Sequence, residues 1–321
     1  MAKEIGSEFH SIPFEDGRGL TLPRRGSLVF SGKTAIEAVL KRMPDASTAL
    51  LPSYCCDSMI VPFRDAGIEV CFYDVIWDQG LKIDIKDSAD ILLWCNYFGY
   101  RNEMPQFEGV IIEDITHSLL SKSPSHNRSD YLVASLRKWE PVNCGGFCSV
   151  VADYPSPPDE FISLKNSAME LKAKYLSDHD EEKKPQFLSM FARSNHWLAE
   201  HYSGLSIDQW SREYLDHVDI EGQRRKRRKN AKTIYEGLKG KVSFLFPEVD
   251  MDCPLFVPVL LPDRDEIRKY LIKNEIYCPV HWPRPEGCES NIYDSELSLI
   301  CDQRYGAEDM ERMVSVLLEA L

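Results

Sequence analysis

The sequence predicts an α/β protein: a mainly parallel sheet of about seven strands covered by helices, followed by a smaller α+β domain. Two patterns predict it. Continuous apolar, β-rich runs recur as far as residue 151, separated by helix-spaced or loop-like crossovers. Runs that are apolar throughout suit strands buried on both faces, as in a parallel sheet with helical crossovers. Beyond Gly240 shorter strand-like and helix-like stretches alternate again, which suits a second, smaller unit. The division falls between residues 1–215, a large domain with an N-terminal arm, and 216–321, a linking helix and small domain.

Each element has a local reason. Leu28-Val29-Phe30 leads into Ser31-Gly32-Lys33-Thr34, after which Ala35, Ile36, Val39 and Leu40 recur at helical spacing. Ala49-Leu50-Leu51 reads as a buried strand stopped by Pro52, and Met59, Ile60 and Phe63 suit a helix ending near Gly67. Strands are predicted over 69–75, 91–95, 110–115, 131–136 and 147–151. From about Pro157 to Gly240 the pattern is helical, broken by a charged turn over 178–184. In the second unit, strands are predicted over 255–261, 277–282 and 297–301. Asp263-Arg264-Asp265-Glu266 reads as a capping box opening a helix through Ile267, Tyr270, Leu271 and Ile272. Glu308 to Leu321 is a final amphipathic helix.

Composition excludes several classes. A net charge of −13 argues against nucleic acid or anionic membrane as the partner. The run Arg224–Lys229 opposes that average, and on a helix continuing through Ala231, Ile234, Tyr235 and Leu238 it reads as a solvated face. No stretch approaches the roughly 18 apolar residues of a membrane span. The polar start, Met1 to His10, has no apolar signal core. Apart from Cys55-Cys56 the ten cysteines sit singly, mostly inside apolar runs, so buried reduced thiols in the cytoplasm are expected. Cys144-x-x-x-Cys148 and Cys55-Cys56 lack the spacing of a zinc site, and no metal is expected.

The polar residues at the strand ends carry the chemistry, since open α/β sheets bind ligands there. Ser31-Gly32-Lys33-Thr34 opens a helix, where free amides and the helix dipole favour a phosphate. Asp114 ends an apolar strand, where a carboxylate is costly without a partner such as a protonated pyridine nitrogen. Tyr54 follows Pro52-Ser53 and can stack on a ring, and His117, three residues past Asp114, can reach a ring hydroxyl. Lys138 follows a strand beside Arg137 and precedes Gly145-Gly146. Desolvation and a neighbouring cation turn a lysine into a nucleophile. Ser135 can give a hydroxyl to a cofactor phosphate. A phosphate, a ring nitrogen and an aldehyde awaiting an amine are the parts of pyridoxal 5′-phosphate (PLP). His281-Trp282 at a later strand end and Arg304 can reach a substrate.

These residues, in order, resemble a fold-type I PLP enzyme of the DegT/StrS sugar aminotransferase family. The matching pieces are Ser31–Ile36, Leu51–Tyr54, Asn96-Tyr97-Phe98-Gly99, Ile112–Asp114, Ser135–Lys138 and Gly145-Gly146, with the helix over Arg224–Leu238 resembling the family's interdomain segment. The resemblance implies that Lys138 holds PLP as an aldimine, Asp114 pairs the ring nitrogen and Tyr54 stacks on the ring. Gly32, Lys33 and Thr34 would meet the phosphate mainly through backbone amides, assisted by Ser135. His117 stands where many members have glutamine, and Asn96 falls in a matched segment as a substrate contact. It also implies a homodimer, a small-molecule amino donor and a keto acceptor such as a nucleotide-linked keto sugar, within polysaccharide biosynthesis. Cys144 replaces the family's usual acidic residue before the paired glycines, and the Ser135-to-Lys138 spacing is shorter than in most members.

Three other readings stand beside transamination. The same first steps serve a PLP-dependent lyase or dehydratase, which differs in the substrate's leaving group. A PLP-binding protein without turnover fits the altered surroundings of Lys138. Gly32-Lys33-Thr34 also ends a P-loop, but Ser27 stands where that motif needs its first glycine, which disfavours a nucleotide hydrolase.

Overall fold

The structure, a computed structural model, describes residues 4–122 and 128–321, so the first three residues of the polar start lie outside it. The elements begin with β1 (Ile5–Gly6), β2 (Ser27–Val29), α1 (Gly32–Leu40), β3 (Thr48–Pro52), α2 (Asp57–Asp65), β4 (Glu69–Trp77) and β5 (Leu81–Asp84). There follow β6 (Ile91–Cys95), β7 (Val110–Asp114), β8 (Tyr131–Ser135), β9 (Gly146–Cys148), α3 (Asp159–Asp178), α4 (Lys183–Glu200) and α5 (Gln209–Leu215). The rest comprises α6 (Ile220–Leu238), β10 (Ser243–Phe244), β11 (Phe256–Leu260), α7 (Arg264–Lys273), β12 (Ile276–Tyr277), β13 (Glu296–Ile300) and α8 (Ala307–Ala320). The α/β class is the predicted one, with a mostly parallel sheet and flanking helices.

The chain groups into two discontinuous units: Met1–Ser7 with Asp45–Asp130 and Glu221–Leu321, and Glu8–Pro44 with Tyr131–Ile220. Hydrogen bonds explain the grouping of the first unit. The Tyr293 hydroxyl accepts the Cys55 N–H at 2.8 Å and donates to the Cys55 carbonyl at 2.7 Å. The Leu255 N–H reaches the Phe98 carbonyl at 2.7 Å.

In the first unit, β7, β6, β3 and β4 lie side by side in parallel, and β5 closes the edge as an antiparallel hairpin with β4. All of Ile91–Cys95 is buried, as an apolar run in a parallel sheet requires. The register pairs Cys95 with Asp114, so β6 and β7 end level and present their polar termini together. A smaller antiparallel sheet has the order β10-β11-β13, and β1 pairs in parallel with β12. The strand predicted over 277–282 shortens to Ile276–Tyr277, because Pro279 has no N–H for a ladder. The predicted capping box is absent: Asp263 makes no side-chain cap bond, and Arg264 pairs with Asp265 instead.

The basic run on α6 divides by face. Arg225, Lys226, Arg228 and Lys229 are exposed, as predicted, but Arg224 and Arg227 are buried. Residues three apart share a helix face. Arg224 meets Asp252 at 3.2 Å, and Arg227 donates to the Leu255 carbonyl at 3.1 Å.

In the second unit β2, β9 and β8 form an antiparallel ladder against which α1 packs. Helices α3 and α4 pack on one another around Ala168, Met169, Tyr175, Phe187 and Phe191, joined by the predicted charged turn. Eight of the ten cysteines are buried, while Cys56 is half-buried and Cys71, on an outward position of β4, is exposed. Among the described residues no helix is long and apolar enough to cross a membrane.

Candidate active site

The predicted site residues fall into two groups, one in each unit. In the second unit, β8 ends at Ser135 and the chain makes one 3-10 turn, Leu136–Lys138. Leu136 is buried and anchors this turn. Arg137 donates to the Asn195 side-chain carbonyl at 2.9 Å, and the Asn195 amide donates to Glu8 at 2.8 Å. Lys165 reaches the same Asn195 oxygen at 3.3 Å and lies 3.7 Å from Glu8. Burial pushes the Glu8 carboxyl up, but Lys165, Arg137 and Asn195 outweigh it and hold it at about 2. Burial brings the Lys165 ammonium down to about 8 against the pull of Glu8. Arg137 is thus pinned to the helical side of this unit, while Lys138 is exposed.

The start of α1 lies beside this turn. Ser31 caps the helix by accepting the Thr34 N–H at 3.2 Å. The Thr34 hydroxyl donates to the Tyr202 carbonyl at 2.7 Å, and Lys33 donates to the Ala199 carbonyl at 2.8 Å with its ammonium 4.0 Å from the Tyr202 ring centre. The side chains of Lys33 and Thr34 therefore serve the junction with α4, and only their backbone belongs to the helix start. That engagement also takes Lys33 away from the phosphate role the P-loop reading needs. A Cβ on Gly32 would stand 3.2 Å from that of Ser135. Gly146 is more restrictive, since a Cβ there would lie 2.2 Å from the Ser31 carbonyl oxygen. This contact gives the paired glycines their physical reason: β9 must touch the backbone that opens α1. Gly146→Ala is expected to cost about 1–3 kcal/mol of stability, the usual range for overpacking, measured by chemical denaturation. Cys144, just before the paired glycines, donates its thiol to Asp208 at 3.2 Å.

In the first unit Asp114 is buried at the end of β7 and accepts the Thr116 N–H at 2.8 Å. Its neighbour Glu113 faces the other way, accepting the Asn96 side-chain amide at 2.7 Å and the Ser129 hydroxyl at 2.9 Å. Asn96 is thereby a partner of Glu113 rather than the expected substrate contact. His117 Nδ1 accepts the Phe98 N–H at 3.3 Å. A nitrogen that accepts carries no proton, so the neutral ring holds its hydrogen on Nε2. The His117 ring is stacked with Trp282 at 5.5 Å and stands edge-on to His281 at 5.5 Å.

Two further expectations change. Tyr54 has no exposed surface: its ring is enclosed by Tyr97 at 5.6 Å, Trp282 at 5.1 Å and Tyr293 at 5.1 Å. So enclosed, the Tyr54 ring presents no exposed face to a cofactor. Arg304 forms a two-pronged pair with Asp302, at 3.0 and 2.7 Å, and donates to the Ser7 carbonyl at 3.3 Å. Its guanidinium is thereby engaged within the chain. The sequence reading missed Glu296 and Ser298, which lie on one face of β13 and engage His281. Burial raises the Glu296 carboxyl to about 8, against the lowering effects of Ser298, the His281 N–H and Arg264. The available signal was the alternation Glu296-Leu297-Ser298-Leu299 in a buried strand, where polar groups need partners.

No family model and no curated protein matches the chain. Solved structures do. Spr1654 from Streptococcus pneumoniae, in its apo form, superimposes with a TM-score of 0.66 at 13% identity, over 98% of this chain and 92% of its own. DesI, in the presence of its TDP-sugar product, gives 0.65 at 12% identity over 98% and 95%. The sugar aminotransferase CalS13 from Micromonospora echinospora gives 0.64 at 12% identity over 92% and 88%. At these identities the likeness is one of fold, and it spans nearly the whole chain. The protein has the fold these structures share, the fold-type I architecture that its motifs predict.

Proposed function

We propose that this protein is a PLP-dependent aminotransferase that passes an amino group to a keto acceptor, with a nucleotide-linked keto sugar as the acceptor class. The observation that carries the reading is the turn after β8. It pins Arg137 through Asn195 and ends on Lys138, the last residue of the matched piece Ser135–Lys138, which is exposed rather than desolvated as expected. The similar structures support it: Spr1654 is known in PLP and PMP forms, CalS13 is a sugar aminotransferase, and DesI is seen with a TDP-sugar.

Each unit holds residues whose chemistry suits one part of the cofactor. Bound PLP supplies an aldehyde and an electron-accepting ring. Lys138 would hold the aldehyde carbon, and when released would take and return the proton at the substrate carbon. Asp114, buried at the end of β7 and oriented by the Thr116 amide, would keep the ring nitrogen protonated. The His117 Nε2–H would donate to the ring hydroxyl, and the start of α1 with Ser135 would meet the phosphate. A cytoplasmic homodimer belongs to the same reading.

The test is spectroscopic and chemical. Purified protein mixed with PLP should develop a visible absorbance band, and glutamate should convert the cofactor to pyridoxamine phosphate, read by chromatography. A nucleotide-linked keto sugar should then restore PLP. A band that no amino donor changes would leave a cofactor-binding protein without turnover, and release of a leaving group without pyridoxamine phosphate would make it a lyase.

A further inference from the structure

The polar cluster around β13 has a use that the proposed reaction does not assign. Glu296 and Ser298 are fully buried and, two residues apart on a strand, point to the same face. The His281 backbone N–H donates to Glu296 Oε2 at 2.8 Å. The Ser298 hydroxyl donates to Glu296 Oε1 at 2.5 Å, the sense that an ionised carboxylate takes and that reverses when Glu296 is protonated, and it is paired with His281 Nδ1 at 2.8 Å. The order is carboxyl, hydroxyl, imidazole. A serine nucleophile needs its imidazole in the middle. Here the serine is in the middle, which is the arrangement for handing a proton along.

We propose that Glu296, Ser298 and His281 form a buried proton wire that stores one proton and releases it from the Nε2 of His281, the ring that stands edge-on to His117. The wire has two balanced states. With Glu296 protonated, Oε1–H donates to the Ser298 hydroxyl, which donates to His281 Nδ1, and the imidazole hydrogen sits on Nε2. When a base takes that hydrogen, the serine proton moves to Nδ1 and the glutamate proton moves to the serine. Glu296 is then ionised, His281 carries its hydrogen on Nδ1, and one proton has left.

The surroundings suit this storage. Glu296 faces Ser298 and His281, Arg264 of α7, whose guanidinium takes the Glu296 carbonyl at 2.9 Å, Tyr54 after β3 and Cys278 after β12. Burial outweighs the effect of Arg264 and keeps the carboxyl protonated up to about 8. His281 is enclosed by Phe98 at 5.3 Å, Phe256 at 5.0 Å, Trp282 at 5.2 Å and His117 at 5.5 Å. The wire rests on geometry within the first unit alone. Its use, as a proton supply beside the His117 hydroxyl contact, rests on the proposed function.

The experiment is nitrogen-15 NMR of histidine-labelled, full-length, cofactor-free protein between pH 6 and 10, with His281 assigned by its loss in His281→Gln. In the wild type, His281 should change from the Nε2–H to the Nδ1–H tautomer with a midpoint near pH 8. Glu296→Gln, whose amide donates to the serine at every pH, should fix the Nε2–H tautomer throughout. Ser298→Ala should uncouple the ring and remove the transition. A wild-type His281 that keeps one tautomer across this range, or a transition that survives in either variant, overturns the wire. No cofactor is present, so a failed aminotransferase assay leaves this result intact, and a failed wire leaves the aminotransferase reading intact.

Discussion

Lys138→Ala is expected to bind PLP without attaching it, and to lose transamination by about 10²–10⁴-fold, the range for losing a positioned acid–base group. Borohydride reduction of the wild type, followed by digestion and mass spectrometry, should place a pyridoxyl group on the peptide containing Lys138. The variant should show none. The neighbouring cation cannot take over. A guanidinium does not give up its proton at accessible pH, and Arg137 is held by Asn195 at 2.9 Å. Lys33 is engaged with the Ala199 carbonyl at 2.8 Å. Lys138→Arg, which keeps the charge but not the amine, should fail equally. A modified lysine elsewhere, or undiminished turnover in both variants, would remove Lys138 from the site.

The largest expected loss of stability belongs to Asp302→Ala. Burial disfavours the Asp302 carboxylate, but Arg304 overcomes this and lowers its pKa below the ordinary value. Both side chains are almost inaccessible, at 6% and 5% exposure, so removing the aspartate takes from a buried guanidinium its two-pronged partner and leaves the weaker pull of Glu4. Breaking a buried pair on one side costs about 3–5 kcal/mol. The pair also serves the N-terminus of the first unit, because Arg304 donates to the Ser7 carbonyl and Tyr305 accepts the Gly6 N–H at 2.9 Å. The sign with pH follows. A carboxyl whose folded pKa is depressed stabilises above its unfolded value, about 3.9, and loses that contribution as pH falls through the folded value. The deficit of Asp302→Ala should therefore be full at pH 7 and shrink below about pH 4. Urea denaturation at several pH values measures it, and a deficit under about 1 kcal/mol at pH 7 would mean that the pair is screened by solvent.

Local chemistry made much of this protein legible. Ile91–Cys95 is uniformly apolar and reads as a strand buried on both faces, and it is a fully buried strand. Ser31 before Gly32 signalled a capped helix start, and Ser31 accepts the Thr34 N–H. Gly145-Gly146 stood out as a matching pair, and the structure gives Gly146 a close approach to Ser31. Such features depend on a residue's own backbone preferences and its near neighbours, so spacing reveals them.

Side-chain direction was a different matter. Tyr54, Asn96 and Arg304 stand where an argument from strand ends expects ligand contacts. Tyr97 and Glu113 take the first two from other segments, and Asp302, two residues away, takes Arg304. Arg224 and Arg227 looked like members of a solvated run until Asp252 and the Leu255 carbonyl met them. Glu296 and Ser298 gained significance only when His281, distant in sequence, reached them. The sequence by itself determined the strands, the helix starts and the glycine positions, because these are set by steric and hydrogen-bonding rules within a few residues. Which polar groups remain available for chemistry was decided only by the tertiary structure, because a buried donor or acceptor binds whichever partner the fold brings to it.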